Sequence, residues 1–241
     1  MFAFAVWDED LQELTLARDR FGEKPLCYYF SDDIFAFASE ITSLESLEFL
    51  DLTINKSALT HHIETSYIPS PLSIYSKVNK LPPGQFLTFS TSKGIEVTTY
   101  WSLSTEIQQS QTKKIESEDV AVDLLHESLK NAVKLRMSSD VPLGAFLSGG
   151  VDSSLVAAIM QEQSSSPINT FSIGFNEPGY NEAVYAKEVS NYLGSNHTEQ
   201  YISSKDAMDV IPKLGSMFDE PFSDPSQIPT FLVSSLAKKK V

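Results

Sequence analysis

The sequence predicts an α+β region followed by an α/β region with a parallel sheet. Up to about residue 101, short apolar runs alternate with turn residues, a pattern typical of antiparallel strands. After Ser117, amphipathic helices alternate with apolar strands, which favours a parallel sheet covered by helices. Residues 104–117 between them are polar and have no sustained apolar period. We therefore place a linker at 104–117 and predict domains over 1–103 and 118–241.

In the first region the turn chemistry separates the predicted elements. Ser92–Gly94 predicts a hairpin turn, and Asp32 and Asp33 predict an earlier one. The predicted strands are Phe2–Trp7, Leu14–Ala17, Leu26–Phe30, Ile34–Ala38, Gln85–Phe89 and Ile95–Trp101, with a short helix over Lys56–Glu64.

In the second region Ser117 is expected to cap a helix that runs to about Met137, with Leu125, Leu129, Ala132 and Val133 on one face. Strands are predicted over Val141–Leu147, Asn169–Phe175 and His197–Ile202, and helices over Ser153–Gln163, Tyr180–Leu193 and from Ser203 onward. Because proline lacks an N–H, Pro212 should kink the last helix.

Composition narrows the class of function. The 241 residues, 41% of them hydrophobic, can form a sizeable core. The formal charge of −14 disfavours nucleic acid and anionic membranes as partners, so small-molecule chemistry is favoured. The sequence has neither a spanning apolar run nor a signal-peptide order at its N-terminus, which predicts a cytoplasmic protein. The single cysteine, Cys27, excludes an internal disulfide and is expected to be a buried thiol.

A glycine-rich loop between a predicted strand and a predicted helix carries the chemistry. Glycines let backbone N–H groups approach an anion, and the following helix adds free amides and a positive dipole end. A carboxylate beside phosphate is repulsive unless a cation lies between them, so Asp152 predicts Mg²⁺ bound between Asp152 and phosphate oxygens. The loop consists of Ser148, Gly149, Gly150, Val151, Asp152, Ser153 and Ser154.

The loop has two rival interpretations. A Walker A loop ends in Gly-Lys-Ser/Thr, whereas Val-Asp-Ser-Ser stands here, which argues against γ-phosphoryl transfer. The plainer alternative is a glycine turn whose serine and aspartate side chains simply cap the helix.

The loop resembles the Ser-Gly-Gly-x-Asp-Ser-Ser signature of the PP-loop ATP pyrophosphatases. Its lead-in, Ser139-Asp-Val-Pro-Leu-Gly-Ala-Phe-Leu147, is similar to the synthetase domain of glutamine-hydrolysing asparagine synthetases. The segments Phe171–Phe175, Tyr180–Ala183 and Asp219–Phe222 follow in that family's order. The N-terminal segments Met1–Asp8, Leu16–Pro25, Ala38–Ile41 and Leu81–Gly84 resemble the end of its class II glutamine amidotransferase domain.

The resemblance implies part of an Ntn-type amidotransferase sandwich, then an adenine nucleotide α-hydrolase-like domain. It implies that Leu147 and Ile173 contact adenosine, that Ser148–Ser154 hold pyrophosphate and that Asp152 holds Mg²⁺. In the implied reaction, ATP activates aspartate as β-aspartyl-AMP, and ammonia from glutamine displaces AMP. Aspartate, glutamine and ATP are thus the expected small-molecule partners, and a homodimer of the full-length protein is left open.

The resemblance also indicates what this chain does not contain. The family's N-terminal cysteine nucleophile has no counterpart, because Phe2 follows Met1, so no catalytic residue is assigned. We expect a fragment of a longer protein. A related amidotransferase acting on another carboxylate, and a non-catalytic nucleotide-binding fragment, remain alternatives. Asp219 and Glu220 are either ligands of magnesium or substrate, or a helix cap in a solvated turn.

Overall fold

The computed structural model describes residues 1–31, 33–111, 114–175 and 181–241. The chain forms two compact units that do not follow one another simply along the sequence. The first comprises Met1–Lys114 and Leu214–Asp224, and the second comprises Ile115–Lys213 and Pro225–Val241.

The first unit confirms the predicted antiparallel strands and the helix after Asn55, whose side chain accepts hydrogen bonds from the amides of Ser57 and Ala58. Its elements are β1 (Ala3–Asp8), β2 (Glu13–Arg18), β3 (Cys27–Phe30), β4 (Phe35–Ala38), α1 (Ile41–Glu45), α2 (Lys56–Thr65), β5 (Val78–Lys80), β6 (Gln85–Ser90), β7 (Gly94–Thr99) and α3 (Leu103–Ser110). α1, β5 and α3 were not predicted from the sequence, and all of α3 but Leu103 lies in the segment proposed as a linker. Asp32 of the predicted β3–β4 turn lies outside the described residues.

Two antiparallel sheets build this unit, in the orders β1-β2-β6-β7 and β4-β3-β5. Cys27 lies in the central strand of the second sheet, is 2% exposed and donates to the Ala38 carbonyl at 3.2 Å. Burial, followed by the negative charge of Asp219, raises the pKa of this thiol to about 12. The buried-thiol prediction is therefore confirmed, and the thiol stays protonated at neutral pH.

Asp19 organises the turn after β2. Its buried carboxylate accepts hydrogen bonds from four backbone amides at 3.0–3.2 Å, those of Phe2, Phe21, Glu23 and Lys24. Burial opposes ionisation of Asp19, but these donors outweigh it and lower the pKa to about 2.

Asp19→Asn should therefore destabilise the chain by about 2–3 kcal/mol at pH 7. A carboxyl whose pKa falls on folding contributes stability above its unfolded pKa, near 3.8, and loses it as the pH falls towards 2. Urea unfolding of both proteins should show their difference shrinking between pH 5 and pH 2. Asp10→Asn, an exposed change in the same unit, is the control. A difference independent of pH would contradict this assignment.

The second unit confirms the predicted alternation of helices and strands. Its elements are α4 (Glu118–Arg136), β8 (Gly144–Phe146), α5 (Val151–Gln163), β9 (Asn169–Phe175), α6 (Ala183–Leu193), β10 (Asn196–Ile202), α7 (Ser204–Met208), α8 (Ile211–Met217, which passes into the first unit) and α9 (Gln227–Ala237). Ser117 caps α4 through a bond from the Val120 amide. Val133 of the predicted α4 face is buried, whereas Leu125 is 59% exposed.

The parallel sheet has the order β10-β9-β8, with β9 in the centre. Side chains of neighbouring residues in a strand point to opposite faces. Leu147 packs with α4, α5 and α6 on one face, and Phe171 packs with α9 on the other. The sheet is therefore covered by helices on both faces, as its apolar strands require.

The predicted helix after Ser203 was wrong as a single element. It divides into α7 and α8, which are separated at Asp209–Val210, two residues before Pro212. Pro212 is tolerated in the first turn of α8, but it has no N–H to donate to the Met208 carbonyl four residues back, so the helix breaks instead of kinking. Tyr180, the expected start of α6, lies outside the described residues. Within the described ranges, no helix combines the length and apolarity that crossing a membrane requires.

Candidate nucleotide site

The glycine-rich loop lies at the carboxyl end of β8, where α/β sheets place their ligand sites. Leu147 follows β8 directly, and α5 begins at Val151. The last pair between β8 and β9 is Phe146 with Phe171, and β9 continues beyond it to Phe175. The different strand ends leave a crevice beside the loop.

Hydroxyl groups hold the loop in shape. The Ser148 and Ser153 oxygens lie 2.9 Å apart, and the Ser148 amide donates to Ser153 Oγ at 3.3 Å. The Gly150 amide in turn donates to Ser148 Oγ at 3.3 Å. These bonds join the two ends of the loop. A bound anion would replace the bond between the two hydroxyls, so that each hydroxyl would donate to the anion instead.

Gly149 and Gly150 are glycine for different structural reasons. Gly149 has φ +80°, and a Cβ there would lie 2.6 Å from Tyr185 Cβ and 2.7 Å from the Ala186 amide nitrogen. Glycine at this position therefore lets the loop pack against the first turn of α6. Gly150 has φ −73°, and its Cβ would meet only Ser148 Oγ, at 3.4 Å. Of the two glycines, only Gly150 leaves open space where a side chain would be. This is the space through which the backbone amides were expected to approach an anion.

The start of α5 leaves backbone amides free, as an anion site at a helix N-terminus requires. The first intrahelical bond runs from the Ser154 amide to the Gly150 carbonyl, so the amides of Val151, Asp152 and Ser153 have no helical acceptor. Gly150 is the N-cap, and no side chain in the described chain caps this helix. The plainer interpretation, in which serine and aspartate side chains cap α5, is therefore not what the structure shows.

A cavity of about 760 Å³ opens beside the loop, within the size range of small-molecule sites. The ends of β8 and β9, the starts of α6 and α7, and α9 all contribute to its wall. Its lining consists of Phe146, Leu147, Ser148, Ser153, Phe171, Ser172, Ile173, Phe175, Glu182, Ala183, Ser203, Ser204, Ala207, Pro229, Thr230 and Val233. Apolar and aromatic surface thus faces hydroxyls and one carboxylate.

The structure places Leu147, Ser148, Ser153 and Ile173 of the predicted site on this cavity. The other predicted residues, Gly149, Gly150, Val151, Asp152 and Ser154, lie on the same loop and helix turn but outside the lining. Asp152 is exposed on the first turn of α5. The Ser154 hydroxyl is buried, with no hydrogen-bond partner among the residues described.

Leu147 is fixed by its backbone. Its amide donates to the Phe171 carbonyl at 2.9 Å, and its carbonyl accepts a hydrogen bond from Ser172 Oγ. Its side chain is only 2% exposed and belongs to the core of the second unit. Ile173 lies on β9 beyond the end of β8 and packs against the α9 cluster. Both positions are consequently held rigidly at the cavity wall.

Sequence reasoning missed the part of the lining supplied by Glu182, Ser203 and α9. Glu182 lies in the segment Tyr180–Ala183 that resembles the family, and Ser203 precedes a helix, but neither pattern indicated a ligand site. Pro229 ends a stretch, residues 224–229, that is similar to the family, but Thr230 gave no signal, because α9 was not predicted. Their contribution depends on the tertiary fold.

Two family models match the chain in succession. Residues 1–101 match the glutamine amidotransferase domain, and residues 124–241 match asparagine synthase. The antiparallel first unit and the parallel second unit agree with this order. The protein is therefore of the class that joins an amidotransferase region to an asparagine synthase region. The chain belongs to the glutamine-hydrolysing asparagine synthetase family, which confirms the resemblance.

Curated relatives align with the whole chain. It is 36% identical over 241 residues to glutamine-hydrolysing asparagine synthetase 1 of Bacillus subtilis strain 168, covering 100% of this chain and 37% of the relative. It is 39% identical over 245 residues to a provisionally named second asparagine synthetase of Methanocaldococcus jannaschii, covering 100% and 46%. Amidase chry2 of Gibberella zeae is 31% identical over 208 residues, covering 80% and 30%. The chain thus spans less than half the length of these relatives.

Proposed function

We propose that this chain is part of a cytoplasmic enzyme that makes asparagine. The overall reaction converts aspartate, glutamine, ATP and water into asparagine, glutamate, AMP and pyrophosphate. The observation that carries the proposal is the succession of the two family matches, with the glycine-rich loop beside a cavity in the second unit. Residues 1–103 are assigned to the end of an Ntn-type amidotransferase sandwich, 104–117 to a linker and 118–241 to the PP-loop domain.

The cavity fits ATP, with adenosine against the apolar wall. Leu147 and Ile173 supply rigid apolar surface there, while the amides at the start of α5 and the serine hydroxyls would donate to phosphate oxygens. The pyrophosphate would replace the bond between Ser148 and Ser153 with bonds to its own oxygens. Helix N-termini favour such anions through both their free amides and their dipole.

Asp152 fits a magnesium site. Its carboxylate is exposed on the helix turn that would bind pyrophosphate, and hard oxygen ligands together with phosphate are what Mg²⁺ prefers. When bound, the ion would neutralise negative charge on pyrophosphate. In this step the aspartate carboxylate oxygen bonds to the α phosphorus, and the bond between that phosphorus and the pyrophosphate oxygen breaks. The protein's own contribution is to hold the loop amides and hydroxyls in place around the departing pyrophosphate.

Asp152→Asn tests this assignment. With Mg²⁺, we expect the Kd of ATP to rise about tenfold to a hundredfold in calorimetric titration, since a charged ligand of the ion is lost. In excess EDTA, the variant should bind ATP as tightly as the original chain or more tightly, because a repulsive carboxylate is gone.

Asp123→Asn provides the matched control, with the same charge change on the exposed surface of α4. It should leave both titrations unchanged. An Asp152 variant that binds ATP normally with Mg²⁺ would exclude Asp152 as a metal ligand. If the original chain binds no ATP, the nucleotide site itself is wrong.

A related amidotransferase that acts on another carboxylate is the second candidate. The similarity to a relative named amidase chry2 favours keeping it. Exchange of labelled pyrophosphate into ATP, measured on the complete protein that contains this chain, separates the two. Exchange that depends on aspartate supports the first candidate, and exchange with a different carboxylate supports the second. Binding of ATP without formation of AMP would favour a nucleotide-binding role alone.

A further inference from the structure

The hydrogen bonds between β8 and β9 stop one bond earlier than the strand register allows. The last pair of the register is Phe146 with Phe171. Leu147 adds one further bond, because its amide donates to the Phe171 carbonyl at 2.9 Å. In a parallel ladder, the Leu147 carbonyl would next accept from the amide two positions beyond Phe171, which is that of Ile173. Among the residues that the structure describes, no such bond is formed.

Ser172 takes the place of the missing donor. Its hydroxyl donates to the Leu147 carbonyl, and the residue is only 3% exposed. The carbonyl therefore has a hydrogen-bond partner without a bond from the Ile173 amide. Ile173 lies at the cavity wall, on the part of β9 that continues beyond the end of β8. Its amide consequently lies at an open strand edge, where a ligand in the cavity can accept a hydrogen bond from it.

The same bond orients the first peptide of the glycine-rich loop. The Leu147 carbonyl and the Ser148 amide belong to one planar peptide unit, so they turn together. Ser172 Oγ binds the carbonyl of this unit, and on its other side the amide donates to Ser153 Oγ at 3.3 Å. Ser153 lies in the first turn of α5, the helix whose free amides form the proposed phosphate site. All of these residues belong to the second unit. The orientation of the peptide therefore depends on both hydroxyls.

We propose that Ser172 is a positioning residue of the nucleotide site. Its hydroxyl holds the peptide between Leu147 and Ser148 in the orientation of the loop, and it keeps the Ile173 amide available to a ligand. The inference rests on the proposed ATP site. Without the hydroxyl, the Leu147 carbonyl would be buried without a partner, which is costly enough to draw it towards the Ile173 amide. The ladder would then extend by one bond, and the peptide would turn away from Ser153.

Ser172→Ala tests the proposal, with Ser190→Ala as the matched control. Ser190 is 1% exposed and lies on α6, where its hydroxyl is 2.8 Å from that of Ser195, and it does not line the cavity. In calorimetric titration with Mg²⁺ and ATP, we expect the Kd to rise about fivefold to tenfold in Ser172→Ala, the effect of losing one hydrogen bond to the ligand. The control should bind ATP as the original chain does.

Hydrogen exchange of the Ile173 amide, measured without nucleotide, distinguishes positioning from a general effect on stability. In Ser172→Ala this amide should exchange about tenfold more slowly than in the original chain, because it gains the Leu147 carbonyl as an acceptor. A merely structural loss would have the opposite sign, since amides of a destabilised strand exchange faster. Ser190→Ala should not slow the exchange of this amide.

The two measurements keep this role separate from the ATP site. Slower exchange at Ile173 in a chain that binds no ATP would retain the effect of Ser172 on the strand edge and overturn the nucleotide site. Exchange at Ile173 that is unchanged or faster in Ser172→Ala would overturn the positioning role. An ATP affinity of Ser172→Ala equal to that of the original chain would overturn it as well.

Discussion

Gly149→Ala should weaken ATP binding at least about a hundredfold. The residue has φ +80°, which costs a non-glycine residue about 1–2 kcal/mol. The new Cβ would also lie 2.6 Å from Tyr185 Cβ and 2.7 Å from the Ala186 nitrogen. Both neighbours belong to α6, so relief requires the loop to leave the helix. Together these effects amount to about 3 kcal/mol or more.

Two other glycines of the second unit, Gly150 and Gly194, provide comparisons for this experiment. Gly194, with φ +68° and nothing near its absent Cβ, tests strain alone, so Gly194→Ala should cost about 1 kcal/mol and leave ATP affinity unchanged. Gly150→Ala should fold normally yet weaken ATP binding, because its Cβ faces the open loop. Calorimetric titration with ATP and thermal unfolding of all three variants check these expected affinities and stabilities. Equal behaviour of Gly149→Ala and Gly194→Ala would contradict the packing argument.

Gly84→Ala should cause the largest loss of stability in the first unit, about 4 kcal/mol or more. Gly84 has φ +68°, and its Cβ would lie 2.3 Å from the carbonyl oxygen of Trp101. The backbone of residue 84 cannot move away from Trp101, because the Gly84 amide donates to the Asp19 carbonyl and the Gly84 carbonyl accepts from the amides of Tyr100 and Trp101. The clash is with backbone, which cannot rotate away as a side chain can.

Gly94→Ala is the matched control for Gly84→Ala. Gly94 has φ +75° in the same unit, and no atom lies within 4 Å of its absent Cβ. This change should cost only about 1 kcal/mol. Denaturant unfolding followed by tryptophan fluorescence suits the comparison, because Trp7 and Trp101 both belong to the first unit. Similar losses of stability in the two variants would show that backbone strain, rather than the contact with Trp101, causes the loss in Gly84→Ala.

The elements predicted well were those with a local signal. β9 was predicted with its exact bounds, because Phe171, Ile173 and Phe175 alternate with polar or small residues and turn residues stand on both sides. α4 was predicted within a residue, since Ser117 caps it and acidic residues fill its first turn. β5 is three residues long and α1 only five, too short for either periodicity to register.

Site predictions divide in the same way. The loop Ser148–Ser154 was recognisable because its glycines, hydroxyls and carboxylate are consecutive. The opposite wall of the cavity was not, since Thr230 reaches it from a helix more than seventy residues further along the chain. Asp219 and Glu220 remained ambiguous, because a carboxylate pair gives the same pattern as a metal ligand and as a remote helix cap. In the structure Asp219 accepts hydrogen bonds from the first two amides of α1, and Glu220 pairs with the Lys80 ammonium.

The sequence by itself determined the succession of an antiparallel and a parallel region and the family, and it predicted an anion-binding loop, because each depends on neighbouring residues. Only the tertiary structure decided why Gly149 must be glycine, which residues complete the cavity and what Asp219 and Glu220 bind. Those answers depend on contacts between segments far apart in the chain. No local pattern encodes such contacts, since any carboxylate that reaches the free amides of α1 would satisfy them equally well.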